Sequence, residues 1–404
     1  MPLGLYVSVP FCRTKCSYCN FASGVFSRAV FERYVDRVCA DIEHAPLTAV
    51  KMGGCFEPTV DSIYFGGGTP TVLDIPQIER LFVTISQKFD VVPEAEITVE
   101  CAPGTLTPEL LEVLGRCGVN RMSLGVQSYV DEETRSVGRL HNRAKVLDDI
   151  TRLRVSGIAN INIDLIAGLP HQTAESWRFS LQQAIASEVA HVSVYMLEVD
   201  EDSRLGLELI AGGTKYHAHF VPDEDLTADL YLAGCETLNA AGVQQYEISN
   251  FARDGFRSRH NLKYWTRQPY LGFGVDAHSM LAARPDGGSE AALIDAVRFS
   301  TPDSLEAYIS GEPQKQTVIS KEAALEETFF LGLRLNRGLD VAKVWAEFGA
   351  DAMTNFSPVI ADLVQLGLIE RRENRLRLTD RGRLLSNEVF ERFILTGAPV
   401  LERS

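Results

Sequence analysis

Three cysteines fall close together in the segment Phe11-Cys12-Arg13-Thr14-Lys15-Cys16-Ser17-Tyr18-Cys19-Asn20-Phe21. The spacing of Cys12, Cys16 and Cys19 is C-x3-C-x2-C. Thiolates this near in sequence can wrap three corners of a cubane [4Fe–4S] cluster. The position two after Cys19 is Phe21, and no further cysteine lies near, so the fourth iron is left without a protein ligand. Such an iron takes an outside chelator, and S-adenosylmethionine (SAM) offers an amine and a carboxylate. One electron from the reduced cluster then breaks the adjacent carbon–sulfur bond. That chemistry belongs to the cofactors, and the protein orients them. The competing reading is structural zinc. It needs four tetrahedral ligands, commonly two separated pairs, so a distant His or Cys would have to complete it.

Other polar or Gly-rich positions fall where a bound SAM would need them. Gly66-Gly67-Gly68-Thr69-Pro70 follows a β-branched run, and glycines let a backbone pass close to a ligand. The plain alternative is a strand-to-helix turn. Glu100, Gln127 and Ser128 close later runs, with Arg139 and His141 just beyond. Asp164 sits inside the apolar stretch Ile161–Ile166, where a lone charge is costly and needs a partner. It reads as a ligand contact or as a paired structural aspartate.

These residues must be held by repeating elements. The sequence predicts strands at Leu5–Val9, Ser62–Phe65, Glu96–Glu100, Arg121–Gly125, Ile161–Ile166 and His191–Leu197. Helices are predicted between them: Ser27–Glu43, with Ser27 as N-cap, Ile75–Phe89, Pro108–Cys117, Lys145–Val155 and Ala174–Ser187. Most of the strands read as apolar on both faces, as buried parallel strands do. Six β/α repeats imply a parallel α/β sheet, either a partial barrel or an open doubly wound sheet. In both, chemistry belongs at the C-terminal strand ends, where the cysteine segment and the glycines fall.

Residues 201–222 read as a polar, Gly-rich excursion without a period, followed by a helix over Asp225–Ala240. Residues 250–280 read as a site-lining loop region, and 281–300 as a variable surface segment. After Thr317, helices are predicted over Glu322–Leu335, Val341–Phe348 and Ala352–Leu366, the last ended by Gly367. A hairpin of Leu368–Glu370 and Leu376–Leu378 turns at Glu373-Asn374, and a final helix starts near Thr379. This is a winged-helix pattern, and the expected domain boundary lies near residue 310.

The 404 residues carry a net charge of −15, with 45% apolar and 23% charged residues. Phosphate binding needs a basic face, so no nucleic-acid partner is expected, and the winged-helix pattern reads as a packing or lid module. No secretory signal and no bilayer-spanning apolar run is visible, which points to a cytoplasmic protein. The remaining cysteines, Cys39, Cys55, Cys101, Cys117 and Cys235, are scattered and read as small core residues.

The chain resembles the coproporphyrinogen III dehydrogenase-like radical SAM family, and within it the heme chaperone branch. The matching pieces are PFCRTKCSYCNF, YFGGGTPT, ECAPGTLT, RMSLGVQS, GRLHNR, NIDLIAGLP, QYEISNFA and RHNLKYW, spread over residues 3 to about 385. The resemblance implies a [4Fe–4S] cluster on Cys12, Cys16 and Cys19. It implies a partial (β/α)6 TIM-like radical SAM barrel over residues 1–225, a barrel extension and heme-lining region over 226–310, and a C-terminal winged-helix-like domain over 311–404. By motif match, it places SAM contacts on Tyr6, Tyr18, Gly67, Gly68, Thr69, Glu100, Gln127, Arg139 and Asp164. HNLKYW matches a motif linked to heme in that branch, which makes His260 the expected heme ligand, with Tyr264 and Trp265 against the porphyrin. On the residues alone, His260-Asn261 could instead cap a turn among core aromatics.

The implied function is uptake of heme and its transfer to acceptor proteins, with a reductant protein serving the cluster. A membrane-associated acceptor and a homodimer are compatible with this. The alternative is oxygen-independent coproporphyrinogen III oxidation, in which propionate side chains become vinyl groups with loss of carbon dioxide. Those oxidases carry CxxxCxxCxC where this chain has Phe21, and an extended segment before the first cysteine, for which residue 12 leaves no room. A heme-degrading methyltransferase relative shares the cluster motif but not HNLKYW and QYEISNFA.

Overall fold

The computed structural model of the chain describes residues 1–285 and 293–394. All six predicted strands are present: β1 (Leu3–Val9), β2 (Thr59–Gly67), β3 (Asp90–Cys101), β4 (Arg121–Gln127), β5 (Asn160–Ala167) and β6 (His191–Met196). They pair in parallel in chain order. Between them run α1 (Ala29–Lys51), α2 (Ile75–Lys88), α3 (Pro108–Arg116), the short α4 (Asp131–Ser136), α5 (Arg143–Val155) and α6 (Ala174–Ala186). The chain forms a partial (β/α)6 barrel, so the chemistry-bearing strand ends share one rim.

Helix α1 departs from its expected bounds. Its N-cap is Arg28 rather than Ser27, and it continues through Pro46 to Lys51. Pro46 removes one helical N–H. The buried face nonetheless runs on through Ala45 and Ala49, so packing holds the helix past the proline.

The strands are not apolar on both faces. Leu5, Val7, Ile63, Phe65, Ile97, Val99, Met122, Leu124, Ile161, Ile163, Val192 and Val194 are buried in the main core. The alternating positions carry Tyr6, Ser62, Tyr64, Glu96, Thr98, Glu100, Arg121, Ser123, Asn162, Asp164, His191 and Ser193. Side chains alternate across a strand, so the helix-facing surface is apolar and the lumen is polar. Several of the polar groups pair with one another, while Thr98 Oγ1 and Arg121 Nε are buried without a hydrogen-bond partner. His191 Nδ1 lies 2.6 Å from Asn162 Oδ1, its Nε2 lies 2.9 Å from the Tyr246 hydroxyl, and Ser193 donates to Asn250 Oδ1 at 2.9 Å.

Beyond β6 come α7 (Arg204–Ala211), α8 (Glu224–Ala240), β7 (Gln244–Gln245) and β8 (Asn250–Ala252). The 201–222 excursion therefore contains a helix, held by its Ser203 N-cap. The expected loop region 250–280 is mostly regular, with α9 (Arg259–Trp265), β9 (Tyr270–Gly274) and β10 (His278–Ala282). β9 pairs in parallel with β1, and β10 continues antiparallel into β11 (Ile294–Ser300). The variable surface segment expected at 281–300 thus contains a sheet strand, while its residues 286–292 lie outside the described residues. The described sheet has twelve strands, and its order is β12-β11-β10-β9-β1-β2-β3-β4-β5-β6-β8-β7.

After α10 (Leu305–Ser310), the edge strand β12 (Lys315–Ser320) still belongs to this sheet. The large sheet therefore runs to Ser320. A second core follows, made by α11 (Lys321–Leu333), β13 (Leu339–Asp340), α12 (Val341–Phe348), α13 (Ser357–Gln365), β14 (Ile369–Arg372), β15 (Arg375–Leu378), α14 (Asp380–Leu384) and α15 (Ser386–Glu391). Phe329, Phe356 and Phe393 pack ring against ring at its centre, 4.4 to 5.7 Å apart. α13 starts at Ser357 rather than Ala352, which puts Pro358 in the first helical turn, where its missing N–H costs no helical hydrogen bond. The β14–β15 hairpin turns at Glu373 as expected, and Gly367 takes the left-handed backbone after α13. The C-terminal domain has the predicted helix, helix and wing.

Candidate functional site

The cysteine loop leaves β1 at the C-terminal rim and is tied to the glycine turn after β2. Thr69 N–H donates to Phe11 O at 2.8 Å, Cys12 N–H to Gly24 O at 2.9 Å, and Ser17 N–H to Val137 O at 3.2 Å. Lys15 Nζ donates to the carbonyls of Phe21 and Ser23, closing the loop on itself. The thiols have soft neighbours: Thr69 Oγ1 donates to Cys12 Sγ at 3.8 Å, and Cys19 Sγ lies 3.9 Å from Ser23 Oγ. Burial pushes the Cys12 thiol above its ordinary pKa, with the Thr69 and Ser23 hydroxyls opposing. Phe21, in the position where a fourth cysteine would stand, is exposed. Among the described residues, no three His, Cys, Asp or Glu side chains converge on a single ion, and this holds for the three cysteines as well.

The glycines are sterically required. Gly67 has φ +91°, and a Cβ there would meet Ser8 Oγ at 2.7 Å. A Cβ on Gly68 would meet Val9 O at 2.6 Å and Phe11 O at 2.9 Å, in the contact that fixes the cysteine loop. Gln127, ending β4, also holds a left-handed backbone, φ 65°, a strained state that clusters at ligand sites.

Below the loop, the lumen is lined by Tyr6, Tyr64, Glu100 and Asp164, each partly open to solvent through the mouth. Tyr64 donates its hydroxyl to Glu100 Oε1 at 2.7 Å. Enclosure by protein raises the Glu100 pKa to about 7, against the opposing Tyr64 hydrogen bond. Asp164 accepts from Asn162 Nδ2 at 2.8 Å and from Ser123 Oγ at 3.3 Å, and burial shifts it upward too. It is both paired and lumen-facing, so the two readings of this aspartate are compatible.

Arg139 closes the mouth from the side. Its Nη2 donates to the Tyr18 hydroxyl at 3.1 Å, while its Nε is buried without a partner. Tyr18 itself packs on Val137, Ile166 and Leu169. An orphaned guanidinium N–H is costly when buried, and a ligand carboxylate would satisfy it. Three thiols on a pinned loop, two glycines with no room for side chains, a raised carboxyl and a free N–H together suit a cluster with SAM. Tyr6, Tyr18, Gly67, Gly68, Thr69, Glu100, Gln127, Arg139 and Asp164 thus gather at one end of the barrel with Cys12, Cys16 and Cys19. Sequence reasoning missed Tyr64. Its signal was the two-residue alternation of β2, which puts it on the same face as Ser62.

His260 lies deeper in the lumen than the cysteine loop, beneath Tyr6 and Tyr64, 1% exposed, on the short helix α9. Its Nδ1 lies 3.1 Å from Ser62 Oγ, its Nε2 lies 2.8 Å from the Tyr264 hydroxyl, and its ring stacks on Tyr64 at 5.3 Å. Both ring nitrogens are engaged, and burial lowers its pKa to about 3. Tyr264 is in turn packed against Tyr270. The helix plugs the barrel floor: Ser258 Oγ, Arg259 N–H and His260 N–H all donate to the Glu96 carboxylate.

The comparisons agree with this geometry. The Radical SAM superfamily model matches residues 6–184, and the HemN C-terminal domain model matches residues 319–385. The solved structure of coproporphyrinogen III oxidase (HemN) from Escherichia coli, described as a radical SAM enzyme, superposes with a TM-score of 0.80 at 25% identity, covering 97% of this chain and 90% of that one. Heme chaperone HemW of Lactococcus lactis is 32% identical over 98% of both chains. HemW of Bacillus subtilis is 33% identical over 96% of this chain and 98% of that one. Radical S-adenosyl methionine domain-containing protein 1, mitochondrial, of Mus musculus is 31% identical over 99% and 88%. The barrel and its rim are those of the radical SAM class. Within that class, the chain belongs to the heme chaperone HemW family. No described helix is long and apolar enough to cross a membrane.

Proposed function

We propose that this protein binds a [4Fe–4S] cluster through Cys12, Cys16 and Cys19, takes SAM at the fourth iron, and carries heme to acceptor proteins. The observation that carries the cofactor part is the junction of the cysteine loop with the glycine turn. The Thr69-to-Phe11 hydrogen bond ties the cysteine loop to the glycine turn, which supports a shared cofactor site at that rim. Family membership carries the heme part. When bound, the cluster and SAM together supply one-electron cleavage chemistry. The chain's own residues then bind and orient. Arg139 Nε would hold the methionyl carboxylate, and Gly67 and Glu100 the amine. Tyr64 holds the Glu100 carboxyl, and Tyr18 packs beside the guanidinium. Cluster and SAM would gate heme release. The domain division fits best at Ser320-Lys321, where the large sheet ends.

Coproporphyrinogen III oxidation is the second reading, favoured by the likeness to HemN. Phe21 in place of a cysteine weighs against it. The test is anaerobic reconstitution with iron and sulfide, then parallel assays. Hemin uptake and transfer to an apo-hemoprotein is expected, and coproporphyrinogen III is expected to remain unchanged. Formation of divinyl product without heme uptake would reverse the assignment.

A further inference from the structure

The side of the mouth that carries Gln127 and Arg139 rests on a buried carboxylate. Among the described residues, the Arg139 side chain bonds the Tyr18 hydroxyl and its Nε has no partner. No acid holds the guanidinium, so its aim is set by the backbone that carries it. That backbone leaves the C-terminal end of α4. Arg139 N–H donates to Thr134 O at 3.0 Å, and Gly138 N–H to Arg135 O at 3.1 Å. The same turn holds the cysteine loop, through Ser17 N–H on Val137 O and Thr14 Oγ1 on Gly138 O, each at 3.2 Å. Beyond it, Arg143 N–H returns to Asp131 Oδ1 at 2.8 Å and closes the segment on the start of α4.

α4 has six residues, too few to be a stable helix without tertiary anchors. Its buried anchor is Glu133, 1% exposed. Glu133 Oε2 accepts the Ser128 hydroxyl at 2.6 Å and Gln172 Nε2 at 3.3 Å. Ser128 follows the strained Gln127 at the end of β4, and its Oγ accepts Val130 N–H at 2.9 Å. Gln172 also donates to Ile166 O at 3.1 Å, and its Oε1 accepts Gly168 N–H at 2.5 Å, both at the end of β5. One carboxylate oxygen thus joins the ends of β4 and β5 to the helix that presents Arg139. The other, Oε1, is buried without a partner. Burying a carboxylate that is only half bonded is costly. Stability alone does not account for such a group, and what it holds is the geometry of the mouth.

Resting on the SAM reading above, we propose that Glu133 is a positioning residue for SAM binding. It touches no ligand. It fixes α4 against the two strand ends, and α4 in turn fixes the Arg139 backbone beside Gln127. An apolar side chain at this position could fill the space, but it would bond neither strand end, and the guanidinium would lose its aim. Small displacements at such a site weaken binding even where every contacting residue is present.

The test measures SAM affinity anaerobically on the reconstituted full-length protein. The readout is the change that SAM makes in the electron paramagnetic resonance signal of the reduced cluster, with iron and sulfide content determined beside it. Glu133→Ala is expected to weaken SAM binding about tenfold, with iron and sulfide uptake unchanged. Glu133→Gln keeps an oxygen for Ser128 and Gln172 and is expected to stay within roughly twofold of the parent. Ser128→Ala removes the shorter bond alone and is expected to cost about threefold. In an Arg139→Ala background, Glu133→Ala should add less than about twofold, because residues that act as one unit are not additive. An undiminished loss in that background, or parental affinity in both Glu133→Ala and Ser128→Ala, would overturn the assignment and leave the SAM reading standing. A cluster indifferent to SAM in the unsubstituted protein would remove the SAM reading and this role together. If melting shows Glu133→Ala to be unfolded, Ser128→Ala in the two backgrounds carries the same test.

Discussion

The two ends of the barrel lumen use similar residues for opposite purposes. At the mouth, Arg139 keeps a buried N–H without a partner, Glu100 is held near neutral pKa, and Gln127 is strained. At the floor, Glu96 receives three donors, His260 is engaged at both nitrogens, and Lys263 pairs with Asp61 at 2.7 Å. The unmet N–H of Arg139 at one end is an offer to a ligand, and the three donors on Glu96 at the other fix a plug.

The sharpest way to break that comparison is at the cysteines. Replacing Cys12, Cys16 and Cys19 together by alanine is expected to abolish iron and sulfide incorporation, measured on anaerobically reconstituted protein, with melting unchanged in the metal-free form. At the floor, Glu96→Ala leaves three donors facing a void. A loss of about 3–5 kcal/mol in urea unfolding is expected, since buried donors stranded without an acceptor are each costly. An effect under about 1 kcal/mol would mean that the floor is not the satisfied plug described.

Arg139→Lys keeps the charge but loses the planar fork. SAM affinity of the reconstituted protein should fall by about 10–100-fold, roughly 1.4–2.7 kcal/mol. Equal SAM binding in the two proteins would take Arg139 out of the site. His260→Gln should lower the melting temperature, because it removes a ring stacked on Tyr64 and hydrogen-bonded to Ser62 and Tyr264.

The smallest effect is a pH dependence at Glu100. Its folded pKa, about 7, lies above the ordinary carboxylate value of 4.5. Ionisation therefore costs the folded state stability as pH rises from about 4.5 through 7, and nothing below. Because the carboxyl is partly open to solvent, the cost is about 1–2 kcal/mol rather than the full shift. In the cluster-free protein, Glu100→Gln should be more stable than the parent by that amount at pH 8 and equal to it near pH 4. A pH-independent difference would place the effect in packing instead.

The sequence by itself determined the repeat and the placement of the cysteine segment at its rim. β-branched runs alternating with helical periods dictate a parallel sheet, and a C-x3-C-x2-C segment after the first strand puts thiols at its chemical edge. Local spacing suffices there, because chain connectivity places neighbours together. It could not decide which strand face is polar, since Thr98, Ser123 and Asn162 acquire meaning only when six strands close around one lumen. Nor could it place His260 or Glu133. His260 sits in a recognisable motif, yet Ser62 and Tyr264 take both its nitrogens. Glu133 and Gln172 are 39 residues apart with no motif joining them. What a polar side chain holds depends on partners that arrive from distant parts of the chain, and only the folded structure brings them together.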